Sequence, residues 1–380
     1  MEMTHDPAFA ALLADGPMPS GWALDAAEWD DLARDCADAN CFYAPELLIP
    51  AGRHLAGKDA ISLIAARDEA GRLIGLIPIA MAGRHGRLPV ANAVNWVHRH
   101  CFYGAPLLRR GHEQAAWSAI LRQLDQMKGP AFLHLSGLDA AGRAAAALEA
   151  TCVAEGRTLS EIQRHARALL RSDMSADAYW EANVRAKKRK ELRRLHKRLA
   201  ELGELKPRLL EDAGEIGQWT ADFLALERAG WKGANGTALD CAADESAFLR
   251  EALACAMAAG TLSFLRLDLD GRAIAMLINF AAMDGGFSFK IAFDESLARF
   301  SPGVLIEIEN LRLVQHSETM AWMDSCAAPD HPMIDSLWAE RRSIAQYRVE
   351  LKGGWRRRAA LAAAEGAERL SAYLKRDRSE

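Results

Sequence analysis

The stretch Phe289-Lys-Ile-Ala-Phe293-Asp-Glu-Ser-Leu-Ala-Arg299-Phe-Ser301-Pro-Gly303-Val-Leu-Ile-Glu-Ile-Glu-Asn-Leu311 changes its period part-way along. Its start alternates like a strand, and from Val304 the apolar residues recur as on a helix. Ser301 suits the cap position, and Pro302 suits the first helical position, where its missing N–H would have had no partner. A helix starting here is predicted to leave the amides of Gly303, Val304 and Leu305 without intrahelical acceptors, at the positive end of the helix dipole. That end suits an anion. Gly303 permits close approach of a ligand to the backbone, and Arg299 adds a full positive charge. The same triplet also marks an ordinary strand-to-helix turn, with Ser301 capping its own helix and no ligand.

Working outward, strands are expected over 262–269, 273–281 and 286–293, with Asp270-Gly271 and Asp284-Gly285-Gly286 as hairpin turns. Helices are expected over 177–202, 216–229, 247–259 and 304–314, then a short strand over 319–324 and a further helix from 334. In the long helix, Leu192, Leu195, Leu199 and Leu202 share one face. The first half reads as a helix within 22–40, a hairpin over 60–82, an irregular segment over 89–109, a helix over 113–127 and a strand over 131–135. Both halves thus hold a hairpin followed by a helix and a strand, which allows a duplicated domain.

The chain has 380 residues, half of them apolar and a quarter charged, enough for about two domains at roughly 100 to 200 residues each. A net charge of -4 excludes a surface built wholly for nucleic acid, so local patches decide. No apolar run approaches the ~20 residues of a membrane span, and the opening residues lack the pattern of a secretory signal. The seven cysteines contain no CxxC pair, which fits reduced thiols in the cytoplasm. Neither CxxC nor HxxxH spacing is present, so no metal site is expected.

Several pieces carry a resemblance: Arg185-Ala-Lys-Lys-Arg-Lys-Glu-Leu-Arg-Arg-Leu195, Glu227-Arg-Ala-Gly-Trp231-Lys-Gly233, the strand end Ala292-Phe293-Asp294, Ser301-Pro302-Gly303 and the Asp324 region. With the strand, loop, helix and strand order, residues of roughly 170 to 345 resemble the CelD-like acetyltransferase-domain group of the GNAT superfamily. The first half resembles the other half of the tandem arrangement in that group and in FemABX-type transferases, through His100-Cys-Phe-Tyr103-Gly-Ala-Pro-Leu107. One departure stands at the donor loop, where Arg299 is followed by Phe-Ser-Pro-Gly-Val instead of the usual Gln/Arg-x-x-Gly-x-Gly/Ala.

The resemblance implies an α/β (α+β) chain of two tandem GNAT-like domains, each a mixed, mostly antiparallel sheet flanked by helices. The expected division is 1–165 on the acceptor side, 166–350 binding the donor and 351–380 as a basic helical tail. It implies acyl-CoA as co-substrate, with the diphosphate held by Arg299, Ser301, Gly303, Val304 and Leu305. Backbone amides near Ala292 and Phe293 are the expected oxyanion donors.

Acylating an amine requires a neutral nitrogen, so a carboxylate is expected near the acceptor. Glu227 and Asp324 are the first choices, each equally readable as a surface or turn carboxylate. Trp231 suits a pocket wall or a packed indole, and Lys232 a contact to phosphate or carboxylate. Lys290 suits an anionic substrate group or simply faces solvent, and His98, His100 and Tyr103 are acceptor-side candidates.

Residues 185–198 hold nine Lys or Arg and one Glu. As a helix they present Arg193, Arg194 and Lys197 outward, to CoA phosphates, anionic lipid, RNA or water alone. The expected activity is N-acylation of an amine by acyl-CoA, led by an amino lipid such as a sphingoid base in a ceramide-synthase-like reaction. An exopolysaccharide amino sugar, an aminoacyl transfer from aminoacyl-tRNA and an inactive membrane-surface adaptor are the alternatives. Expected partners are a small-molecule or lipid amine and, peripherally, the anionic inner face of the membrane; no nucleic acid is expected apart from that tRNA.

Overall fold

The computed structural model describes residues 12–13, 18–58 and 60–376, the last nine as backbone alone. The opening residues read for a leader and the last four residues of the tail lie outside this range. Along the first half the elements are α1 (Ala26–Arg34), α2 (Pro45–His54), β1 (Ser62–Arg67), β2 (Leu73–Ala82), β3 (Asn92–Asn95), β4 (Leu107–Leu108), α3 (Glu113–Gln126), β5 (Phe132–Asp139), α4 (Arg143–Glu155) and β6 (Leu159–Leu170). The second half continues with α5 (Ala176–Asn183), α6 (Ala186–Ala200), β7 (Leu205–Leu209), α7 (Ile216–Ala229), α8 (Trp231–Ala234), α9 (Ala243–Ala258), β8 (Leu262–Leu269), β9 (Arg272–Ala282) and β10 (Gly285–Phe293). Then come α10 (Pro302–His316), β11 (Trp322–Asp324), β12 (Glu340–Glu350) and α11 (Trp355–Arg376).

Two compact units result. Unit one gathers 44–57 and 166–342, and unit two gathers 20–43, 58–165 and 343–380, with residues 1–19 assigned to unit one. In unit one the strand order is β7-β8-β9-β10-β11-β6, antiparallel except for the parallel pair β10 and β11. Unit two repeats that plan as β1-β2-β3-β5-β12, antiparallel except for the parallel pair β3 and β5. In each, a helix joins the parallel strands, as a parallel connection requires. The closing strands are exchanged in sequence: residues of β6 that pair with β11 come after unit two's β5 and α4, and residues of β12 that pair with β5 come after unit one's β11.

Three expectations change. The helix foreseen over 177–202 is broken at Val184, whose backbone is extended and whose side chain enters a core with Tyr179, Leu311 and Trp338. Leu192, Leu195 and Leu199 are buried as foreseen, but Leu202 lies past the end of α6 and is exposed. From 334 there is only a short turn, and then β12, because alternate residues such as Arg342 and Ile344 are buried against neighbouring strands. The helix foreseen within 22–40 ends at Arg34, followed by a bridge from Cys36 to Arg109.

The two parallel pairs differ beyond their last shared rung. Past Val94↔His134 in unit two, the Asn95 side chain bonds Ser136 N, Ser136 O and Gly104 O, each at 2.8 Å. The Gly104 amide adds a 2.8 Å bond to Gly137 O. This parting is therefore filled by the chain itself. A Cβ on Gly104 would stand 2.2 Å from Ser136 O, so Gly104→Ala is expected to lower stability by about 1–3 kcal/mol, read as a lower denaturant midpoint.

Candidate active site

In unit one the parallel pair is short and parts early. β10 and β11 share only Gly285↔Trp322, Gly286↔Met323 and Phe287↔Asp324, whereas β10 continues to Phe293 on β9 alone. A bulge at Phe289 interrupts the β9 pairing between Ser288 and Lys290 and turns the strand locally. The Asp294 amide donates to Ile274 O on β9 at 2.8 Å, so by alternation Ala292 also faces β9 while Ile291 and Phe293 present their backbone groups to the open side. The oxyanion amide expected from Ala292 is thus spent in the ladder. The amides of Ile291 and Phe293 face the open side instead.

α10 begins beside this edge, since a Cβ on Gly303 would lie 3.1 Å from the Phe293 ring and 3.7 Å from Ile291. The foreseen amide cradle is narrower than expected. Ser301 takes a left-handed backbone with φ 55 and makes no side-chain cap. Its carbonyl instead accepts the amides of Val304 (2.9 Å) and Leu305 (3.1 Å), which leaves the Gly303 amide with no acceptor among the described residues. Arg299 is exposed, its guanidinium 4.8 Å from the neighbouring Phe300 ring. Val304 is half-buried in the core, and Leu305 turns to a different cleft.

Glu227, Trp231, Lys232, Ala292 and Phe293 do meet, with Ile291 and Glu295, around one shallow recess. Glu227 is buried, and both its oxygens are engaged: Oε1 accepts from Lys232 Nζ at 2.7 Å and Oε2 from the Leu239 amide at 2.8 Å. It therefore anchors the turn, tying α7 to Lys232 and Leu239. Lys232 also donates to Ile291 O at 3.4 Å, which sets a cation on the open edge. Trp231 is 56% exposed and suits a wall for a substrate better than a packed indole. Lys290 is half-buried with its ammonium 5.6 Å from the Phe289 ring.

Asp324 is the other correction. It is fully buried, accepts from Arg167 at 2.7 Å and Arg342 at 3.0 Å on one oxygen, and takes the Cys326 amide at 2.9 Å on the other. Burial pulls its carboxyl upward, but the two guanidinium groups overcome that and hold it below the ordinary range. A carboxylate so held is a poor proton acceptor. Arg342 also lies 5.1 Å from the Trp322 ring, so the triad clamps β11 where β10 leaves it.

Sequence reasoning missed Glu307. It is buried on α10, accepts from Asn310 Nδ2 at 3.2 Å, and burial raises its carboxyl to about 7 against the effect of that bond. Asn310 in turn accepts from Asn279 at 2.9 Å and reaches Met323 Sδ at 3.3 Å. The legible signal was a carboxylate at a core position, four residues after Gly303 and seven before Val314.

The acceptor-side candidates sit within unit two. Tyr103 is fully buried and His100 nearly so, which makes them packing groups in this structure. The His98 ring lies 5.0 Å from that of Trp96, tilted by 44°, and burial pushes its imidazole down to about 3, so it is neutral at physiological pH. Arg193, Arg194 and Lys197 are exposed on α6, with Arg194 paired to Glu191 at 2.6 Å. Arg193 and Leu305 line a separate cleft of about 400 Å³ with Trp180 and Ile308. Among the described residues no group of three His, Cys, Asp or Glu is placed to hold a metal, and no helix is long and apolar enough to cross a membrane.

Residues 186–331 match the family model described as the acetyltransferase (GNAT) domain. This part of the chain is a GNAT-type acyltransferase domain. No curated protein matches. Among solved structures, the chain is similar to FemX, at 9% identity and TM-score 0.58 over 86% of this chain and 96% of that one. It is similar to the C-terminal domain (DUF2156) of a protein described as a putative lysylphosphatidylglycerol synthetase from Agrobacterium fabrum, at 14% and 0.52 over 90% and 95%. It is also similar to L-PGS from Bacillus licheniformis, at 12% and 0.50 over 92% and 98%. At such identities the likeness is one of fold, and it extends over both units.

Removing the Asp324 charge strands two buried guanidinium groups, so Asp324→Asn is expected to cost about 3–5 kcal/mol in urea unfolding at pH 7. A depressed native pKa adds stability that is complete above the unfolded value near ~3.9 and is lost as pH falls through the native one. The wild-type and variant unfolding free energies should therefore differ fully at pH 7 and converge only in acid below about pH 4.

Proposed function

We propose that unit one holds an acyl-CoA in the opening between β10 and β11 and passes its acyl group to a primary amine. The observation that carries this reading is the three-rung pairing of β10 and β11, which ends at Phe287↔Asp324 while β10 runs on along β9 to Phe293, beside the start of α10. A pantetheine arm carries amides that can bond such an edge as a peptide does. The Gly303 amide and the exposed Arg299 suit its diphosphate, with Lys232 as a further cation. The Phe293 and Ile291 amides suit the developing oxyanion of the thioester.

An amino lipid, such as a sphingoid base, is the acceptor favoured. Arg193 and Lys197 on α6 of unit one are exposed, and so, within unit two, are Trp355, Arg356 and Arg358 at the start of α11; each is the kind of segment expected to meet anionic lipid. A fold relative named as a lysylphosphatidylglycerol synthetase agrees with a lipid acceptor on this architecture. Unit two, with Asn95 across its own parting, is not given a donor in this reading.

Thermal-shift titration tests the donor. Palmitoyl-CoA should raise the melting temperature; stabilisation by aminoacyl-tRNA alone would replace the reading with aminoacyl transfer. Arg299→Glu should weaken palmitoyl-CoA about 10- to 100-fold, the loss of one charged contact worth about 1.5–3 kcal/mol, without changing the melting temperature of the free protein. Unchanged affinity removes Arg299 from the site. For the lipid surface, Glu at positions 193, 194 and 197 should abolish sedimentation with phosphatidylglycerol vesicles, since each cation near such a surface contributes about 1 kcal/mol. Undiminished sedimentation of a folded triple variant would sink that assignment.

A further inference from the structure

Glu307 is the buried carboxylate that the donor site does not use, and its position along α10 can be fixed from its neighbours. Gly303, one turn earlier, lies against Phe293 and Ile291. Asn310, one turn later, bonds Asn279 on β9, the partner of Ser288, and Met323 on β11, the partner of Gly286. Glu307 therefore lies between those two points, alongside the stretch of β10 that follows its last rung with β11. Its Oε2 accepts from Asn310, whereas Oε1 has no hydrogen-bond partner among the described residues.

We propose that Glu307 is the proton acceptor for the incoming amine, an inference that rests on the donor reading above. The amine nitrogen attacks the thioester carbonyl, the C–N bond forms and the C–S bond breaks. The proton leaving nitrogen goes to Glu307, CoA departs as thiolate, and Glu307 then returns the proton to that thiolate or to water. Asn310 holds one carboxylate oxygen, and Asn279 holds Asn310, so the acceptor oxygen is fixed in place.

Burial raises the Glu307 carboxyl to about 7, which suits a group that takes and gives back a proton near neutrality. The charged groups on the elements packed against α10 are largely spent elsewhere. Arg266 and Asp268 on β8 pair with each other, Arg272 on β9 pairs with Asp294, Asp324 on β11 pairs with Arg167 and Arg342, and Lys290 on β10 lies by the Phe289 ring. On α5, Asp177 and Glu181 line the separate cleft.

The isosteric variant Glu307→Gln, in the full chain, tests this with two readouts. The first needs no acceptor. With the folded carboxyl at about 7 and the unfolded one at about 4.3, the folded chain binds the proton more tightly, so wild-type stability falls as pH rises between those values. Unfolding by urea at pH 5 and pH 7.5 should show that fall in wild type and not in the variant.

The second readout is transfer from palmitoyl-CoA. To dihydrosphingosine, the variant should be about a hundred- to ten-thousand-fold slower, with the limb of the wild-type pH profile near 7 abolished. To hydroxylamine, an amine already neutral at pH 7 whose adduct nitrogen is acidic enough to give its proton to water, the variant should stay within about threefold of wild type. A folded variant with wild-type rate and pH profile toward dihydrosphingosine overturns the assignment. So does a wild type that binds palmitoyl-CoA yet transfers to neither amine. A wild type that does not bind palmitoyl-CoA fails the donor reading instead.

Discussion

The opening in unit one depends on a buried charge cluster at its root. Asp324 stands opposite Phe287, the last residue of β10 to share a rung with β11, and is held by Arg167 from β6 and Arg342 from the start of β12. Two cations on one carboxylate oxygen tie three strand segments together at a single point, and Arg342 extends that tie to the Trp322 ring. A buried ion cluster is a weak source of stability, because desolvation cancels much of its attraction. Its directional value is greater. It fixes β11 to β6, so that β10 can part from β11 with only β9 to support it.

The same plan, built twice, gives two different outcomes because the chain beyond each parting differs. In unit two the strand after the parallel rungs ends at Asn95, and its amide side chain takes over the ladder bonds that a neighbouring strand would make. Gly104, with no Cβ, lets the returning loop come within bonding distance of Gly137. In unit one β10 continues through the bulge at Phe289 to Phe293, and the chain turns away through Ser301 into α10. Backbone groups of Ile291 and Phe293 thus face the opening, where Lys232 already reaches the Ile291 carbonyl.

The sequence was most legible where local chemistry decides structure. Asp270-Gly271 fixed a hairpin, Ser301-Pro302-Gly303 marked the start of α10, and the leucine spacing placed the buried face of α6. It was least legible where the partner lies far along the chain. β6 and β12 each pair with a strand from the opposite half of the sequence, and neither their partners nor their register is written in their own residues. The break at Val184 is similar, because helical propensity continues through it and only the core that Val184 enters decides the turn. The amide of Leu305 was misjudged because it makes the first regular helical bond, to the Ser301 carbonyl, and that of Val304 because the same carbonyl also takes it in a tighter i→i−3 turn.

The three carboxylates of the site differ by environment, not by type. Asp324 is buried with two cations and stays charged; Glu227 is buried with a lysine and an amide and is fully bonded; Glu307 is buried with amide neighbours alone. Position at the end of a strand or helix made the first two conspicuous in sequence, yet Glu227 is fully occupied by bonds and the two guanidinium groups keep Asp324 charged. A helix-interior glutamate draws no attention until the sheet beneath it is known to open. Burial without a cation brings its two protonation states close in free energy near neutral pH, whereas burial with one fixes the charged state. The useful carboxylate is therefore the one the fold leaves least compensated, and α10 carries it alongside the stretch of β10 that follows its last rung with β11.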